Sequence, residues 1–106
     1  MSETQTETVE LVDQLTIPLP KPISFDGREY RDLNMAEPLA GHVLYAEQQL
    51  KNGANAWAIR NRQIHLISKC AAVPIPVVEK LPMRQFNAAW EFIVPFFDAT
   101  PGTTES

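Results

Sequence analysis

Two extended runs with alternating apolar and polar positions flank Asp26-Gly27. That dipeptide accepts positive φ at both central positions of a type I′ turn, whose twist suits two antiparallel strands. A two-residue loop sets Phe25 opposite Arg28, Ser24 opposite Glu29, Ile23 opposite Tyr30 and Lys21 opposite Asp32. The pair closing such a loop is hydrogen-bonded and bonded pairs alternate from there. Pro20 and Pro22 then occupy non-bonded positions, where a missing N–H costs the ladder nothing. The same parity puts Ile17, Leu19, Ile23, Phe25 and Tyr30 on one face. Pro20, Pro22, Ser24, Glu29 and Arg31 lie on the other. Outward prolines blunt the open edge against stray pairing. A lone hairpin is marginal in water, so its apolar face requires helices to pack on.

The period changes from 2 to 3.6 after Glu37. Pro38 fits the first position of a helix, with Leu39, Val43, Ala46 and Leu50 on one stripe and Leu44 and Tyr45 pointing away from it. Asn52-Gly53 marks its end. Asn55 is placed to cap a second helix reaching about Ala72. Its apolar arc comprises Ala56, Trp57, Ile59, Ile64, Leu66, Ile67, Cys70 and Ala71, against a polar side of Asn61, Arg62, His65, Ser68 and Lys69. So broad an arc predicts a helix at the centre of the fold. A short helical turn is expected over Pro76–Leu81. Pro82 starts a last helix with Phe86, Trp90, Ile93 and Phe97 on its main stripe, and Pro95 is expected to kink or fray its end. The expected fold class is α+β: an N-terminal β-hairpin packed on a small bundle of three main α-helices.

Met1 to Glu10 is polar and acidic with no apolar period. Residues 1–11 therefore read as a disordered lead-in, 12–98 as a single domain and 99–106 as a mobile tail. The 106 residues suffice for one core. A formal net charge of −4 disfavours nonspecific attraction to nucleic-acid phosphates. The single cysteine excludes an intramolecular disulfide and a four-cysteine zinc site within one chain. No apolar run approaches the ~20 residues of a membrane span, and nothing resembles a signal peptide.

Reaction chemistry is not visible. His42, His65 and Cys70 are the nitrogen and sulfur candidates for a metal apart from methionine, and His65 and Cys70 lie five apart on one helix, on different faces. Neither a zinc site nor a Cys–His nucleophile pair follows. Asp26, Glu29, Asp32 and Glu37 have ordinary turn and hairpin explanations, and the glycines are scattered rather than gathered into a phosphate loop. No enzyme activity and no cofactor are expected. Arg62, His65 and Lys69 form a basic stripe that reads first as a solvated helix face, the alternative being contact with an acidic protein segment or nucleic acid, although it lacks the interleaved aromatics of a single-strand-binding surface. Phe92 and Phe96 lie roughly opposite the Phe86–Trp90–Ile93 stripe. Either the last helix is buried on two sides, or these rings form an apolar strip for a partner. The candidate partner-binding residues are therefore Phe92, Phe96, Leu44 and Tyr45.

The run KPISFDGREYRDLNMAEPLAGH resembles the opening of the tail assembly chaperones of contractile-tailed, Mu-like bacteriophages. The matching elements are Lys21-Pro22, Phe25-Asp26-Gly27, Tyr30, Leu33, Glu37-Pro38 and Ala40-Gly41. The later run LISKCAAVPIPVVEKLPMRQFNAAWEFIVPFF is similar to that family's second half, so the likeness spans about Leu15 to Phe97. The chain departs from the family pattern at Ala36, where arginine is expected, and at His42, where an acidic residue is expected. The resemblance implies a small non-catalytic protein of the host bacterial cytoplasm. It would bind the helical tape-measure protein, keep it soluble, and be shed as tail tube subunits polymerise, so that the mature virion lacks it. A frameshift-extended form is common in such chaperones. The alternatives are a small regulatory protein-binding module and a minor structural component of the virion.

Overall fold

The computed structural model describes residues 13–98. The expectations for the segments 1–11 and 99–106 lie outside the described residues. Two antiparallel strands, β1 (Gln14–Phe25) and β2 (Arg28–Ala36), form a ribbon. Among the described residues four helices follow: α1 (Ala40–Glu47), continued by a 3-10 turn over Gln48–Leu50, then α2 (Ala56–Ala71), α3 (Ile75–Glu79) and α4 (Met83–Asp98). The class is α+β, as the change of period predicts.

Asp26 and Gly27 both carry positive φ, 51° and 79°, as a type I′ turn requires. Phe25, Ser24 and Ile23 pair with Arg28, Glu29 and Tyr30 as expected. Beyond that the regular register fails, and Asp32 faces Pro18 rather than Lys21. Leu19, Pro20, Lys21 and Pro22 lie opposite Arg31 alone, as a wide bulge. The reason lies in the core: the shift sets Ile17 against Leu33, which lets Leu33 and Met35 turn inward in place of Asp32 and Asn34. Ile17, Ile23, Leu33 and Met35 are all buried, while Leu19, Phe25 and Tyr30 pack on the margin of the core.

Helix α2 is the centre of the bundle and touches α1, the 3-10 turn, α3, α4 and β2. Its start follows the expected cap: Asn55 Oδ1 accepts the Ala58 N–H at 2.8 Å. At its end Ala72 adopts the left-handed conformation, and the Val73 N–H donates to the Ser68 carbonyl. Leu66, Ile67, Cys70 and Ala71 are buried with Val77, Val78, Leu81, Phe86, Ala89 and Ile93, forming one cluster with the inner face of the ribbon.

Three helix expectations need correction. Helix α1 starts at Ala40, not Pro38, because Leu39 is extended (ψ 154°) and serves as the N-cap. Lacking a side-chain acceptor, Leu39 leaves its own N–H to His42 Nδ1, which accepts it at 3.2 Å. In the first turn of α2 only Ala58 is buried; Ala56, Trp57 and Ile59 are exposed. The broad apolar arc becomes interior only from Ile64 onward, where neighbours surround the helix. Ser68, assigned to the polar side, is buried, and its hydroxyl donates to the Val73 carbonyl, which supplies the partner that burial demands. Beyond these three corrections, α4 extends to Asp98 with Pro95 inside it.

Candidate partner-binding surface

Phe92 and Phe96 stand one turn apart on α4, and their rings meet edge to face at 5.4 Å between centroids. Both are half-buried, and Phe92 packs against the core. The pair is neither a fully interior wall nor a free strip. Phe97, assigned to the core stripe, is 39% exposed and leans on Trp90 with ring centroids 6.1 Å apart. The last turn of α4 thus carries aromatic rings at its surface on two sides.

Leu44 and Tyr45 project from α1. Leu44 is 71% exposed. Tyr45 is partly covered: the His65 ring lies 5.8 Å from its own, and Lys69 Nζ sits 4.5 Å from its centroid. Trp57 is 70% exposed at the start of α2, and Leu39 is also open at the α1 cap. These two were not among the expected surface residues. Their signal was in the sequence: each lies at or just inside a helix start, where a helix often outruns the element it packs on.

Arg62, His65 and Lys69 do not form a free basic face. The Arg62 guanidinium lies 5.8 Å from the Trp90 centroid, and His65 and Lys69 both approach Tyr45. Arg60 lies over Phe86 in the same way, at 5.3 Å. Such contacts contribute roughly 0.5–1 kcal/mol each when exposed. Their stems and charges therefore serve packing between α2 and its neighbours, α1 and α4.

The sulfur and nitrogen groups are separated. His65 Nδ1 is 2.8 Å from the Asn61 carbonyl, to which its N–H donates. Cys70 is in the core, where burial pushes its thiol up to about 11. Among the described residues no three of histidine, cysteine, aspartate and glutamate gather into a metal-ligand group. Among the same residues no helix is long and apolar enough to cross a membrane. Cys70 is expected to react with a maleimide or disulfide reagent far more slowly in the native protein than in denaturant, because the thiolate is scarce and covered. Stoichiometric labelling at the same rate in both conditions contradicts this placement. The sign for stability follows from a folded-state value above the thiol's ordinary one. This group's contribution is intact below about pH 9 and is lost as pH rises through 11, since the unfolded chain ionises first. Urea titrations across that range, compared with Cys70→Ala, isolate the effect.

The chemistry offered by this surface is apolar contact on helix faces. The family profile described as "Phage tail assembly chaperone proteins, E, or 41 or 14" matches residues 16–98. The chain belongs to this family of phage tail assembly chaperones. The match includes the ribbon from Thr16 onward and every helix, so it takes in all four candidate surface residues. No curated protein and no solved structure matches the chain. Membership assigns the chain a chaperone role in phage tail assembly, which implies protein partners.

Proposed function

We propose that this chaperone binds the tape-measure protein of its phage, keeps that long helical chain soluble in the host cytoplasm, and leaves it when tail tube subunits take its place. The supporting observation is the exposure of Leu44 and Trp57 on α1 and α2, two large apolar side chains that the fold leaves about 70% open. A long unassembled helical protein exposes apolar stripes, and a complementary helical surface covers such stripes through a few large anchors. Tyr45, beside Leu44 and braced by His65 and Lys69, adds a rigid aromatic contact. Phe92 and Phe96 add the open parts of their rings.

The test is co-expression with the tape-measure protein, reading the soluble fraction and the co-purified complex. Leu44→Ser with Trp57→Ser should leave circular dichroism unchanged, because neither side chain is in the core. Loss of two central anchors is expected to weaken the complex by ~2 kcal/mol or more, roughly 30-fold. Phe96→Ser is the milder companion, with Phe92 kept for its core contacts. A folded double variant that still solubilises the client at wild-type levels removes this surface from the proposal. Mass spectrometry of purified virions tests departure: a chaperone retained in mature particles is a structural component instead.

A further inference from the structure

The outer edge of β2 carries a second kind of surface. Among the described residues the two strands form a sheet of only two, so each has an edge with no described strand beside it. The two edges differ. That of β1 is blocked by Pro18, Pro20 and Pro22, and the Ser24 carbonyl on it accepts from Lys80 Nζ at 3.2 Å. β2 contains no proline, and among the described residues nothing hydrogen-bonds to the backbone of Glu29 or Arg31 from outside the ribbon. The Phe25–Arg28 pair closes a two-residue loop and is hydrogen-bonded, so Ser24–Glu29 is a non-bonded pair. The Glu29 N–H and C=O therefore point away from β1. Arg31, opposite the bulge, has no partner on β1.

We propose that this edge pairs with the same edge of a second copy, antiparallel, about a two-fold axis at Tyr30. An isologous contact must be self-complementary, and the order Arg28-Glu29-Tyr30-Arg31-Asp32 is so in one register. Centred on Tyr30, Glu29 faces Arg31 of the second copy, Arg31 faces its Glu29, Arg28 faces its Asp32 and Asp32 its Arg28. Every charge meets its opposite. A centre at Glu29 sets two carboxylates together, and a centre at Arg31 sets two guanidinium groups together. The hydrogen-bond phase selects the same register, because the outward groups of Glu29 and Arg31 then bond each other across the dyad and Tyr30 occupies a non-bonded pair. Arg28, Glu29, Arg31 and Asp32 are all exposed. Glu29 and Arg31 already bond along their own strand at 3.2 Å. Pairing turns that couple into a square of four alternating charges. Charged edges ordinarily discourage pairing; this one discourages every partner except its own copy in one alignment.

The experiment is sedimentation velocity on the full chain over a wide concentration series at low salt. Wild-type protein is expected to dimerise. Glu29→Arg alone and Arg31→Glu alone each place like charges opposite at two symmetric positions, and dimerisation should weaken about tenfold or more. The double variant Glu29→Arg with Arg31→Glu restores the pairing and the dimer. An equimolar mixture of the two single variants should form a heterodimer, since each then supplies the charge the other lacks, and this requires both to be folded. Tyr30→Cys gives an independent readout. Residues at a non-bonded dyad pair have Cα atoms about 4.5 Å apart, within disulfide range, and oxidation should join two chains while buried Cys70 stays silent. A wild-type monomer at all concentrations, a dimer indifferent to the single reversals, or a mixture that stays monomeric each overturns the proposal.

Discussion

Leu33→Ala is expected to cost about 2–5 kcal/mol, the range for emptying a fully buried leucine site. Leu33 is 0% exposed and sits where the ribbon meets the helices, paired with Ile17 across the ribbon. A leucine at this place does more than fill volume. Two strands alone are marginal at best in water, so the ribbon depends on the contacts that Ile17, Leu33 and Met35 make with the helical core. Little room exists for the cavity to collapse, because Met35 and Leu66, at 1% and 0% exposed, are already held in the same cluster. Domains of this size have total stabilities of about 5–15 kcal/mol, so the loss is a large fraction. At roughly 4–8 °C per kcal/mol the melting temperature should fall by at least about 8 °C. Calorimetry or thermal circular dichroism reads it. A fall under a few degrees would mean that the ribbon is not anchored through this residue.

Gly27→Val carries the second large effect, for a different reason. An added Cβ at Gly27 meets nothing within 4 Å, so no clash with the rest of the fold is involved. The cost lies in the backbone: φ is +79°, and a β-branched residue there is strained by about 1–3 kcal/mol. Asparagine tolerates positive φ better than other side chains. Gly27→Asn should therefore retain most of the stability that Gly27→Val loses. Urea denaturation of the two variants separates the hypotheses. Equal losses for both would point to a requirement for glycine beyond φ, and no loss for valine would mean that the turn reorganises freely. The predicted contact between two copies lies next to this turn, so the Gly27→Val variant, where still folded, should also dimerise less well.

Features governed by neighbours in sequence were legible. The Asp26-Gly27 turn, the first three pairs of the ribbon, the Asn55 cap and the extent of α2 all depend on φ preferences and hydrogen bonds spanning a few residues. Those interactions are present in the local chain whatever surrounds it. The central position of α2 was legible as well, because a helix with Ile64, Leu66, Ile67, Cys70 and Ala71 on one side has more apolar surface than one neighbour can cover. The family likeness was readable in the order of Lys21-Pro22, the turn, Glu37-Pro38 and the second half of the chain, and the matched span 16–98 agrees with it.

Only the tertiary structure decided the remainder. Regular alternation through Lys21 satisfies the proline parity, but it cannot express that Leu33 and Met35 gain more from the α2 side than the ladder loses at Leu19 and Lys21. The bulge is the outcome of that comparison. In α2, Trp57 and Leu66 are similarly apolar in sequence, yet one is 70% exposed and the other 0%, because burial depends on whether another element reaches that turn. The surface residues follow the same rule. Leu44 was readable as lying off its helix stripe, whereas the half-burial of Phe92 and the bracing of Tyr45 by His65 and Lys69 needed the positions of three helices at once. Periodicity states which side chains share a face; what stands opposite that face is fixed by contacts distant in sequence.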